Sequence, residues 1–222
     1  MQADLRFARK IFPKLRALAG HNLIAPLSLS ANDPFHMTFL REPVSRVLSQ
    51  YQERAIINQR HGRSMPDFEE ALRTDEELEN LHVKLMAGER NLDKAKRYLE
   101  KCSFVGLTEK FDLSLHVLGK ICPYKLNLSY QKRRVQPDNS IRKKLEGDSR
   151  LADMARERNK LDIELYEFAV REIFPKICAK AGFNSADSVA SLDTCTHRVK
   201  PNILLSGFYN QSFYRQLCKL RD

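Results

Sequence analysis

The sequence predicts an α/β fold, mostly helical around a small parallel sheet. Three observations carry that reading. Two apolar runs of strand length, Phe35-Met37-Phe39 with Thr38 between and residues 103–107, each pass within a few residues into an apolar period of three and four. Strands that alternate with helices in this way build parallel sheets with helices packed on them. The composition, 42% hydrophobic and 30% charged over 222 residues with 8 Gly and 9 Pro, suits a folded chain with a sizeable core and excludes a disordered or collagen-like one.

The first strand is expected to bury Phe35, Met37 and Phe39, with His36 alternating out of that face. Pro43 then stands where a first helical residue tolerates it, and Val44, Val47, Leu48, Tyr51 and Ala55 recur at helical steps. A strand running straight into a helix aims free backbone N–H groups and the positive end of the helix dipole at one spot, which suits an anion. Residues 67–87 read as helix, with Phe68, Leu72, Leu78, Leu81 and Leu85 on one side and Thr74 with Glu77 at capping-box spacing to split it. Residues 92–101 form a short helix. After the second strand, Phe111, Leu115, Leu118 and Ile121 continue as helix until Pro123 stops it. Leu161, Leu165, Phe168, Ala169, Ile173 and Ile177 mark one amphipathic helix ending near Gly182. Residues 7–19 read as a helix-like lead-in interrupted at Pro13, and residues 181–222 as a C-terminal extension of unknown role, broken by Pro201 and Gly207. The fold is thus expected to occupy residues 1–180.

The formal charge is +10, and residues 125–160 hold eleven Lys/Arg against five Asp/Glu, so +6 of the excess is local. A positive balance favours anionic partners. Lys132-Arg133-Arg134 and Arg142-Lys143-Lys144 fit either an anion-binding stretch or a solvated loop and helix face. No base-reading fold or aromatic-basic platform is evident, so nucleic acid is not expected as a partner. The five cysteines are odd in number and scattered, which argues against a disulfide framework or a structural zinc. No run approaches about twenty apolar residues, and the opening MQADLRFARKIF lacks an apolar h-region, so the chain as given is expected to be cytoplasmic with reduced thiols.

The sharpest local signal is Arg41-Glu42-Pro43-Val44-Ser45-Arg46-Val47-Leu48-Ser49-Gln50-Tyr51, directly after the first strand. An arginine at a strand end offers a planar fork for phosphate, and Ser49, two turns into the helix, adds a hydroxyl from the same side. The alternative is a helix that merely starts with Pro and carries a solvated charged face. Of the histidines, His21 follows a turn glycine; His36, His61, His82, His116 and His197 have no partner at informative spacing or sit in structural positions.

This stretch resembles the 3′-phosphate-binding element of sulfotransferases that use 3′-phosphoadenosine 5′-phosphosulfate (PAPS), of the sulfotransferase family 2 type, and most of all the heparan sulfate and uronyl 2-O-sulfotransferases. Three more stretches match in order: Gly20-His21, Phe104-Val105-Gly106-Leu107-Thr108-Glu109 and Asn159 to Phe168 (NKLDIELYEF), together covering about residues 20–177. The resemblance implies a P-loop-like sulfotransferase fold, Arg41 and Ser49 holding the nucleotide 3′-phosphate, and His21 as general base. A neutral imidazole suits the removal of a proton from an acceptor hydroxyl as it attacks sulfur. It implies PAPS as sulfuryl donor, no metal, and a glycan or other hydroxyl-bearing acceptor, anionic or neutral.

Members of that family grip the 5′-phosphosulfate with a Pro-Lys-x-Gly-x-[Ser/Thr] loop between a first strand and helix. Here Pro13-Lys14 is followed by Leu15-Arg16-Ala17-Leu18, so the sequence reads as a sulfotransferase domain whose first βα unit is missing, through truncation, a late start codon or loss. A membrane link is then expected only through a missing N-terminal anchor, which would place the full-length protein on the lumenal side of the Golgi membrane. Two further readings stand beside the enzyme: a catalytically inactive relative, and a basic module that holds a polyanion through residues 132–144.

Overall fold

The computed structural model describes residues 35–130, 143, 145 and 147–192. Gly20, His21, the 7–19 lead-in, Lys132-Arg133-Arg134, Arg142, Lys144, His197, Pro201, Gly207 and two cysteines, Cys195 and Cys218, lie outside the described residues. The chain divides into two compact units. The larger holds every element named below. The smaller comprises Ser129–Arg134 and Leu192–Asp222; within it the Tyr130 N–H donates to the Leu192 carbonyl at 3.4 Å.

The architecture is mostly helical around a two-stranded parallel sheet, as the α/β reading expects. Strand β1 (Met37–Leu40) leads into α1 (Pro43–Arg60), followed by α2 (Phe68–Thr74), a 3-10 turn (Glu76–Leu78), α3 (Leu81–Ala87) and α4 (Leu92–Lys101). Strand β2 (Phe104–Leu107) passes through a 3-10 turn (Thr108–Lys110) into α5 (Phe111–Ile121). After the basic stretch come α6 (Ser149–Arg158), α7 (Lys160–Phe168), a π-turn (Ala169–Ile173) and α8 (Phe174–Lys180).

The strands pair in register, Met37 with Phe104 through Leu40 with Leu107. β2 is buried along its whole length, whereas in β1 Leu40 is fully buried and Met37 is 46% exposed. The expected burial of Met37 is therefore corrected: the end of β1 that continues into α1 is the covered one. Gly106 lies opposite Phe39, and a Cβ there would stand 2.5 Å from the Phe39 ring, so only glycine admits that ring between the strands.

Two apolar clusters form the core. One gathers Leu40, Phe104, Val105 and Leu107 with Leu99, Leu113, Leu118, Leu165, Phe174 and Ile177, so α3, α4, α5, α7 and α8 pack around the sheet. The other joins Val47, Leu48 and Tyr51 of α1 to Phe68 and Leu72 of α2, with Leu78, Leu145 and Ala155. Residues 183–191 run back over α5: Lys110 Nζ donates to the Ser185 carbonyl at 2.6 Å, Ser191 Oγ donates to Asp112 at 3.1 Å, and His116 Nε2 lies 2.9 Å from the Ala190 carbonyl.

The break within 67–87 is present, but its chemistry differs from the Thr74–Glu77 expectation. Asp67 caps α2 by accepting from the Glu70 N–H, Asp75 caps the 3-10 turn through the Glu77 N–H, and Thr74 Oγ1 turns back to the Glu70 carbonyl. Aspartates in the extended conformation serve as caps where a helical Thr cannot. α3 ends at Gly88, whose φ of 76° is left-handed. Gly88→Ala is expected to cost about 1 kcal/mol, the penalty of a side chain in that conformation, read as a lower urea midpoint at unchanged slope.

The single helix expected over 161–177 is interrupted by the π-turn. Pro175 has no N–H and its ring would crowd the carbonyl four residues earlier in a regular helix. The widened turn resolves this, with the Phe174 N–H bonded five residues back to the Ala169 carbonyl. It also keeps Leu165, Ala169, Ile173 and Ile177, four apart, on the core side. In a pure α-helix each such step would drift by about 40°.

Candidate functional site

Parallel pairing puts both strand exits at one sheet edge. Because Leu40 and Leu107 are register partners, Arg41-Glu42 and Thr108-Glu109 emerge side by side although 67 residues apart in sequence. Ligands of open α/β sheets bind outside the carboxyl ends of the strands, and this edge is the candidate site.

Its geometry is set by two glutamates. The Glu42 carboxylate caps α1, accepting from the Val44 N–H at 3.0 Å and the Ser45 N–H at 2.6 Å. The expectation of free N–H groups at this helix start is thereby corrected: a carboxylate of the chain itself occupies two of them. The Glu42 N–H donates to Glu109 Oε1 at 2.9 Å, Thr108 Oγ1 donates to the same oxygen at 3.1 Å, and the Tyr166 hydroxyl of α7 donates to Glu109 Oε2 at 2.8 Å. Partial burial pushes the Glu109 carboxyl up, but the Glu42 amide and the Tyr166 hydroxyl outweigh it and leave its pKa below the ordinary value. Burial first, then the bond to Glu109, pushes the Tyr166 hydroxyl above the ordinary tyrosine range. At neutral pH the roles are therefore fixed, Tyr166 as donor and Glu109 as charged acceptor.

Arg41 leaves the end of β1 half-buried, next to this corner, and Ser49 is half-buried two turns along α1. Both belong to the strand–helix unit that forms one wall of the edge. His21 lies outside the described residues, so the site has no described general base at that position.

Behind the corner runs a buried polar network that sequence reading missed. Arg46, 8% exposed on α1, donates from Nη1 to Gln50 at 2.8 Å and to the Glu77 carbonyl at 3.2 Å, and from Nη2 to Asn159 Oδ1 at 3.1 Å. Asn159 also accepts from the Asn80 N–H and donates to the carbonyls of Leu78 and Ala155, so its amide is fully satisfied. Asn80 adopts left-handed φ of 44° and offers α3 no side-chain cap; its Oδ1 accepts instead from the Asp162 N–H. The cap comes from α7: Asp162, fully buried, accepts from the N–H groups of His82 at 3.0 Å and Val83 at 2.9 Å. Arg46 Nη2 and His82 Nδ1 lie 3.9 and 3.8 Å from the same carboxylate. Burial lowers the Arg46 pKa, with Asp162 opposing and Arg41 adding to the effect; burial likewise lowers that of His82, which is therefore neutral.

Asn159 at the start of α7 and Asp162 and Tyr166 within it, spaced by three and four, meet three targets: the α2–α3 junction, the start of α3 and Glu109. The readable signals were that spacing and Arg46 standing inside the Val44–Val47–Leu48–Tyr51 stripe. A charge on an apolar face requires a buried partner. Cys102, Cys122 and Cys178 are free thiols, and burial pushes those of Cys102 and Cys178 up to about 11, well away from a reactive thiolate. Among the described residues no cluster of His, Cys, Asp or Glu is placed to hold a metal ion, and no helix is long and apolar enough to cross a membrane. Comparison of the chain with protein-family models, curated proteins and solved structures finds no match.

Proposed function

We propose that the strand-end corner holds the 3′-phosphate of PAPS in a sulfotransferase domain that acts on a hydroxyl of a carbohydrate-like acceptor. The observation that supports this reading is convergence. Three stretches that resemble one family, containing Arg41 to Tyr51, Phe104 to Glu109 and Asn159 to Phe168, meet through the Glu42–Glu109–Tyr166 hydrogen bonds at the edge where α/β proteins bind ligands.

The donor set fits a phosphate in a particular way. Glu42 fills the amides of α1, so the phosphate falls to side chains, the fork of Arg41 and the hydroxyl of Ser49. PAPS supplies the sulfuryl group: its S–O bond to the nucleotide breaks as the acceptor oxygen bonds to sulfur, and adenosine 3′,5′-bisphosphate is the leaving product. The acceptor proton passes to a base, His21 in this reading. Positioning and charge stabilisation supply most of the catalysis, by analogy with phosphoryl transfer.

Titration calorimetry with adenosine 3′,5′-bisphosphate tests the site. Arg41→Ala is expected to weaken binding roughly tenfold to a hundredfold, the worth of a charge-assisted hydrogen bond, and Ser49→Ala less. Wild-type affinity no better than that of the double variant would remove the nucleotide assignment. A second reading, a catalytically inactive relative, draws support from the two carboxylates, Glu42 and Glu109, standing beside Arg41. It is separated from the first by binding of the nucleotide without sulfuryl transfer to any hydroxyl acceptor. A polyanion module acting through residues 132–144 would instead weaken steeply with salt and ignore Arg41→Ala.

A further inference from the structure

Glu109 is exposed, yet both of its carboxylate oxygens are engaged. An exposed glutamate normally leaves its carboxylate to water, because holding a long side chain in one rotamer is entropically costly. Here Oε1 receives the Glu42 N–H and Thr108 Oγ1, and Oε2 receives the Tyr166 hydroxyl from a different helix. The acceptor matters because of which N–H it holds. The Glu42 amide belongs to the peptide that joins Arg41 to Glu42, so the bond to Glu109 holds the backbone from which the Arg41 side chain departs at the end of β1. Ser49, by contrast, is carried by the body of α1 and does not depend on that peptide.

We infer that Glu109 is a positioning residue: held by Tyr166, it locks the Arg41–Glu42 peptide and thereby aims the Arg41 guanidinium at an anionic group of the ligand. The inference rests on the nucleotide reading above and adds to it a residue that touches no ligand. Glu109 keeps its charge, but both of its carboxylate oxygens are turned to donors of the chain. Its lowered pKa agrees with this arrangement, for the donors favour the ionised form.

The test compares adenosine 3′,5′-bisphosphate with adenosine 5′-monophosphate by calorimetry, so that the preference for the 3′-phosphate is read apart from general binding and from folding. Glu109→Ala is expected to reduce that preference about fivefold to tenfold, the scale of coupling within one hydrogen-bond network. Glu109→Gln keeps an oxygen for the Glu42 N–H and is expected to restore most of it, and Tyr166→Phe to fall between. In an Arg41→Ala background Glu109→Ala should remove nothing further, whereas in a Ser49→Ala background its effect should add. A wild-type preference that survives Glu109→Ala, or losses that add in the Arg41→Ala background, would overturn the positioning role alone. Absence of any 3′-phosphate preference in the wild type would overturn the nucleotide reading and this inference with it.

Discussion

Asp162→Ala is expected to lower the unfolding free energy by about 3 kcal/mol, the lower end of the range for breaking a buried ion pair. The carboxylate is fully buried and serves two purposes: it caps α3 through the His82 and Val83 amides and faces the Arg46 guanidinium at 3.9 Å. Removing it orphans two helix N–H groups in the interior and leaves a buried cation without its counter-charge. The lower end applies because Arg46 keeps its hydrogen bonds to Asn159, Gln50 and the Glu77 carbonyl. Asp162→Asn keeps the side-chain shape and one acceptor for a cap N–H but loses the charge and sets its NH2 against the other N–H, so it should cost only somewhat less. Urea unfolding of the two variants decides the matter. Equal losses would show that the charge, rather than the cap, dominates; a loss within error of wild type for Asp162→Ala would contradict the assigned role.

Gly106→Ala is expected to cost about 1–3 kcal/mol through overpacking. The added methyl would lie 2.5 and 2.7 Å from two atoms of the Phe39 ring and 2.9 Å from the Phe104 ring. Neither ring can easily retreat. Phe39 sits edge-on to Phe104 at 5.5 Å between centroids and tilted against Phe111 at 5.4 Å, and Phe104 is fully buried. The strain therefore passes to the backbone pairing of the only two strands among the described residues. Phe39→Leu should relieve it, so the double variant is expected to be more stable than the sum of its single changes predicts, as neighbours in contact do. Simple additivity would mean that the clash is absorbed elsewhere.

Local pattern was enough for most of the architecture. The helices Leu92–Lys101 and Phe111–Ile121 have clear apolar periods and terminators, Asn91 capping one and Pro123 following the other, and both occupy the expected residues. Helix α6 escapes sequence reading because five of its ten residues are charged, Arg150, Asp153, Arg156, Glu157 and Arg158, and its cap, Asp148, lies inside a stretch that reads as merely basic. The exposure of Met37, against the partial burial of Phe35 and Phe39, departs from expectation for a different reason. A four-residue strand carries too few alternations to choose a face, and the packing of Leu40 against helices far along the chain decided it. The partners in the polar network could not be named from local pattern because its decisive bonds join distant residues, Asn80 to Asn159 79 positions apart and Arg46 to Asn159 113 apart. Of the site, the motif named Arg41 and Ser49, but nothing local showed that Glu42 would satisfy the helix start with its own carboxylate, or that Glu109 would reach across to the neighbouring strand exit.

The π-turn at Ala169–Ile173 has an evolutionary consequence. It amounts to one residue more than a regular helix needs between the same two core contacts, and Pro175 is what makes that surplus useful. The surplus residue and the proline are therefore structurally coupled. Losing the proline alone leaves a bulge with nothing to accommodate, while losing one residue alone drives the proline ring into the preceding turn. Length change and substitution at this point of the helix are expected to travel together through descent.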